Sequence, residues 1–94
     1  MTIGQIVFSK SGRDRGKALI IITIDSEYVY LVDGKWRTLN RPKKKKVKHV
    51  QPTLCVVDMT TGGRELQDAD IRKYLATYIT GSSKGGNPHC QRMM

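Results

Sequence analysis

The sequence predicts a mainly β protein: a small barrel of four to five strands, then one C-terminal α-helix and a disordered tail. Three observations carry this. Short runs rich in Ile, Val and Tyr recur through the first half, divided by turns that hold Gly and Asp. A single stretch, 69–79, repeats its apolar residues at helical spacing. Residues 82–88 are too polar and glycine-rich to pack. At 94 residues the chain suffices for one domain and not two. Its core must be modest.

Taken in order, residues 2–9 contain Ile3, Ile6, Val7 and Phe8, a density that predicts the first strand. Residues 10–17 carry two glycines and four basic side chains with no apolar anchor, and so form a loop. Residues 18–24 are Ile-rich with one Thr, and β-branching favours extended chain over helix. Asp25, Ser26 and Glu27 make a polar turn into a third strand at 28–32. Asp33-Gly34 is a hairpin signal, because Gly tolerates the positive φ such a turn needs. It predicts a fourth strand at 35–39. Pro42 interrupts, and a short fifth strand or turn is expected where Val47 and Val50 can tuck inward, with Pro52 closing the unit.

Residues 54–59 are apolar and read equally as strand or helical turn, and Gly62-Gly63 breaks the chain. Asp68 is a candidate N-cap and Asp70 suits the first turn, where the helix dipole favours negative charge. Ile71, Leu75, Tyr78 and Ile79 then form one apolar stripe, and Gly81 stops the helix. The organisation expected is a barrel at 1–53, an extension at 54–80 with its helix at about 69–79, and a disordered tail at 81–94.

Charge points to the partner. Seventeen Lys and Arg against eight Asp and Glu give a net +9, a self-repulsion that a polyanion would relieve. Residues 1–52 hold twelve basic and four acidic groups, a net +8, whereas 53–94 are nearly balanced at +1. The polyanion surface therefore belongs to the first half. Within it, Gly12 and Gly16 bracket Arg13, Asp14 and Arg15, with Lys10 before and Lys17 after. The glycines permit tight turning and close backbone approach, and the cations can reach phosphates. An ordinary solvated loop is the plainer alternative. A nucleotide P-loop is excluded: three residues separate the glycines, and Ala18 stands where a magnesium-binding hydroxyl is required.

Arg41, Lys43, Lys44, Lys45, Lys46 and Lys48 put six basic residues in eight with no acid between them. Solvated faces usually mix signs, so this run reads as a nucleic-acid contact whose affinity comes from counterion release. Trp36, flanked by Lys35 and Arg37, is a candidate for stacking on bases. Tyr28 and Tyr30 could stack too, but at least one of them is expected in the core.

No catalytic residue, metal or cofactor is expected. His49, Cys55, His89 and Cys90 lack any zinc-ligand spacing, and no nucleophile has a base beside it in sequence. The chain reads as a binding protein and not an enzyme, with no small-molecule substrate. The longest apolar run, Ala18 to Ile22, is too short to span a bilayer, so no membrane partner is expected. Two cysteines without a secretory leader read as reduced thiols in the cytoplasm.

The segment from Gly4 through the basic loop to Lys17, followed by the Ile-rich strand, resembles the KOW family. Gly16-Lys17 looks like the glycine-lysine pair that closes the basic loop of such modules. More narrowly, residues 4–53 resemble the archaeal and eukaryotic L fourteen e type of large-subunit ribosomal proteins. The segment Tyr30-Leu31-Val32-Asp33-Gly34, the lysine run and the closing 48–53 fit as well. The C-terminal third is more similar to the extension of small bacterial KOW-domain proteins. The resemblance implies an SH3-like barrel that binds ribosomal RNA through basic loops, with the large ribosomal subunit as its place of work. By matching position it points to Lys10, Arg13, Arg15, Lys17 and residues 43–48.

Two functions of different class follow. The favoured one is binding of structured, ribosomal RNA in translation. The alternative is a protein–protein adaptor in transcription or ribosome assembly, in which the helix stripe is an interface and not core. DNA binding is a lesser third, without a helix-turn-helix or zinc-finger pattern behind it.

Overall fold

A computed structural model describes residues 1–59, 65–80 and 89–90, with Ile79–Thr80 and His89–Cys90 described by their backbone alone. The strands are β1 (Gln5–Ser9), β2 (Ala18–Asp25), β3 (Tyr28–Val32), β4 (Lys43–Lys46), β5 (Val50–Val56) and the two-residue β6 (His89–Cys90). A single 3-10 turn, Val47–His49, joins β4 to β5, and the helix α1 spans Asp68–Thr80. The strands form one open antiparallel sheet in the order β4-β3-β2-β1-β5-β6. The architecture is mainly β and that of a small SH3-like barrel.

Alternation along the strands sorts the apolar residues into two cores. Val7, Leu19, Ile21, Val29, Leu31 and Val50 form one of them. Val50 belongs to β5 and Leu31 to β3, which are not neighbours in the sheet, so the sheet must curl for them to meet. The opposite face carries Ile6, Ile20 and Val32, and there α1 lies on the sheet through Ile71, Tyr74 and Leu75. Burial on both faces explains why β2 reads as a continuous apolar run without alternation. The helix stripe is therefore core and not a free interface: Ile71 is fully buried and Leu75 nearly so. Ile79 lies outside the described side chains.

The sequence prediction fails at 35–39, where no strand forms. Residues 33–42 are an irregular loop, because the Asp33 side chain captures backbone that a hairpin would have used. Its Oδ1 accepts the N–H groups of Lys35 and Arg37, both at 2.8 Å. Gly34 does adopt a positive φ of 78°, but it serves the helix: a Cβ there would lie 2.5 Å from the Asp68 carbonyl oxygen. The partner strand of β3 is instead the lysine run itself. Asp68 Oδ1 accepts the Leu39 N–H at 2.7 Å and so ties α1 to this loop.

Pro52 lies inside β5, opposite Val7, on a stretch with a strand on one side only among the described residues. The ambiguous stretch after it is strand as far as Val56. The reading of the cysteines as free thiols is corrected as well: Cys55 is disulfide-bonded, and no free cysteine stands among the described residues. Antiparallel pairing of β6 with β5 sets Cys90 opposite Cys55, a proximity that spacing along the chain cannot reveal. The expectations for Gly62-Gly63, for Gly81 and for the rest of the tail fall outside the described residues.

Candidate nucleic-acid interface

The loop between β1 and β2 is closed at its base by Ser9 N–H donating to the Lys17 carbonyl (3.1 Å) and Gly16 N–H donating to the Ser9 carbonyl (2.9 Å). Gly12 and Gly16 both hold positive φ, at 77° and 83°, as the two turns require. Nothing stands within 4 Å of a Cβ built at Gly16, so the backbone there is open to a partner.

The acid of the loop points inward. Asp14 is only 4% exposed, and its Oδ2 accepts from Arg37 Nη2 at 3.1 Å. Lys10, Arg13, Arg15 and Lys17 remain exposed. Burying and pairing the only acid in the loop leaves its outer surface purely cationic.

Two contacts seat this loop on the lysine run. Lys45 Nζ donates to the Ser11 carbonyl at 2.9 Å, and Lys10 N–H donates to the His49 carbonyl at 2.9 Å. The fold thus joins two basic segments that lie far apart in sequence.

β4 then divides its four lysines. Lys45, 8% exposed, points to the loop. Lys44 and Lys46 stand opposite Tyr30 and Tyr28 on the other face and are exposed, and Lys43 is half-buried. Lys44 Nζ lies 4.5 Å from the Tyr28 ring centroid and 6.0 Å from that of Tyr30. Neither tyrosine joins a core cluster, against the expectation for at least one; both are half-buried under Lys44. Arg41 and Lys48 are exposed at the two ends of the run.

Trp36 is 68% exposed, and Lys17 Nζ stands 5.7 Å from its ring centroid, so the basic loop and the 33–42 loop meet there. The sequence reads Lys45, in the lysine run, and Arg37, beside Trp36, as RNA-binding candidates. The structure gives both an internal partner, so their work is to hold the loop. Sequence reasoning also passed over Arg72, whose Nη1 donates to the Gly34 carbonyl at 2.6 Å. Helical spacing marks Arg72 as exposed but cannot show which loop it reaches. Among the described residues no group of three or more His, Cys, Asp or Glu is arranged to hold a metal, and no helix is long and apolar enough to cross a membrane.

No protein family's profile matches the chain. In sequence it is similar to large ribosomal subunit protein eL14 of Pyrobaculum islandicum, with 30% identity over 64 residues. That alignment covers 67% of this chain and 62% of the archaeal protein, so the chain spans less than two thirds of that relative's length. The similarity supports a relationship of the ribosomal, KOW-like kind.

Proposed function

We propose that the chain is an RNA-binding protein that docks on structured ribosomal RNA, as a ribosomal-protein-like component or associated factor of the large subunit. One observation carries this reading: the fold seats the 10–17 loop against β4, making neighbours of two basic segments far apart in sequence, while Asp14 is turned inward against Arg37. Lys10, Arg13, Arg15, Lys17, Arg41, Lys43, Lys44, Lys46 and Lys48 contact phosphates. Lys45 and Arg37 position them. The similarity to eL14 favours RNA over other polyanions. Folded RNA hides its base edges in a deep major groove, so shape and backbone dominate recognition.

The Cys55 disulfide removes the thiol argument for a reducing compartment. Placement in the cytoplasm, with the translation machinery, then rests on the ribosomal relative alone.

The test is affinity for ribosomal RNA fragments over a salt series. The logarithm of the binding constant is expected to fall linearly with the logarithm of salt concentration, each neutralised phosphate adding to the slope. No binding at low salt, or a flat salt response, rejects the reading.

A further inference from the structure

A groove runs between α1 and the 33–37 loop, beside the Lys17 end of the basic loop. Its floor is apolar, built by Phe8, Leu75, Ala76 and Tyr78. The Phe8 and Tyr78 rings pack with centroids 6.2 Å apart and planes inclined by 51°. Trp36, the chain's only tryptophan, stands at the rim. The groove is open to solvent along much of its length and offers about 1020 Å³.

Charge around the groove selects the ligand. The carboxylate in its lining, Asp33, is committed to the backbone of Lys35 and Arg37. Arg72 is committed to the Gly34 carbonyl. Lys17, its ammonium 5.7 Å from the Trp36 ring centroid, and Lys35 are both exposed. A slot with an exposed indole and two lysines at its mouth suits a flat heteroaromatic ring that carries phosphate. An acidic peptide would satisfy the same lysines but gains little from the indole face. Gly16 and Lys17 belong to both the basic loop and the groove, so RNA lying on the loop passes the groove mouth.

We propose that this groove receives one unpaired nucleotide of the bound RNA, its base against Trp36 and its phosphate against Lys17 and Lys35. The proposal rests on the RNA-binding reading above and adds a selectivity that the lysine surface lacks. A paired helix keeps its bases stacked, and pulling one out costs unstacking energy, whereas a bulged or single-stranded residue is free to enter.

The test uses the full chain at low salt with two hairpins that differ by one bulged nucleotide. Anisotropy of labelled hairpin gives affinity, and Trp36 fluorescence reports contact at the groove rim. Both hairpins are expected to bind, the bulged one about tenfold tighter. The bulged one is expected to quench Trp36 more strongly. Trp36→Ala should abolish the preference. Ala76→Phe, which fills the groove and leaves the indole in place, should do the same with bulge-free affinity and melting temperature retained.

Equal affinity and equal quenching for the two hairpins would overturn the groove proposal and leave the lysine surface standing. Failure of both hairpins to bind would end both readings. Quenching by an oligoglutamate peptide, without quenching by the bulged hairpin, would overturn the proposal in favour of a peptide site.

Discussion

β2 holds Leu19, Ile20 and Ile21 with no exposed surface, whereas β4, two places away in the sheet, holds four lysines of which Lys45 alone is buried. β2 is rich in Ile and β4 is lysine throughout, and both are strands. β2 is extended because β-branched side chains fill a core on each of its faces. Each such burial contributes about 1.5–3 kcal/mol. β4 has no such source: lysine is a poor strand former and like charges repel. Its conformation comes from the backbone ladder to β3 and from the Lys45 bond to Ser11. An edge built this way discourages edge-to-edge association with another sheet and spaces its outward cations every second residue. The centre of the sheet supplies stability, and the edge spends some of it on charge.

That division can be broken first at the edge. Replacing Lys43, Lys44, Lys46 and Lys48 together by Glu should lower RNA affinity at low salt by about a thousandfold. Circular dichroism should show the same fold, with an unchanged or higher melting temperature as self-repulsion is relieved. A loss below tenfold would move the contact surface elsewhere.

The converse change is Ile20→Ala at the centre. It should cost about 2–5 kcal/mol of stability through lost burial and a cavity. Denaturant melts would show this, while the molecules that remain folded should keep their RNA affinity.

The smallest and most discriminating pair lies within β4. Lys45→Met should cost about 1–2 kcal/mol by releasing Ser11 and should loosen the 10–17 loop. Lys44→Met should cost no more than about 0.5–1 kcal/mol through its tyrosine contacts and reduce the salt slope by about one. If the two neighbours behaved alike, the assignment of one lysine to structure and the other to contact would fail.

Much of the fold was legible in the sequence. The β3 bounds agree with the expected 28–32, and the helix expected at 69–79 occupies Asp68–Thr80. In both cases local composition and periodicity agree with the tertiary environment. The loop at 10–17 was legible because two glycines and four cations admit no packed alternative. The strand expected at 35–39 was not to be had from local signals. Asp33-Gly34 looks the same whether it begins a hairpin or packs against a helix, and the difference lies in Asp68 and Arg72, more than thirty residues downstream.

The sequence by itself determined the sign and the half of the chain in which charge resides, the β-rich class and the single amphipathic helix, since these follow from composition and from periods of two and 3.6 residues. Only the tertiary structure decided which cations face outward, because that depends on long-range partners. Asp14 takes Arg37, Ser11 takes Lys45, and the curl of the sheet sets the β1–β2 loop beside the edge strand β4. Side-chain direction at an edge is set by what lies across from it, and a linear sequence does not contain that neighbour.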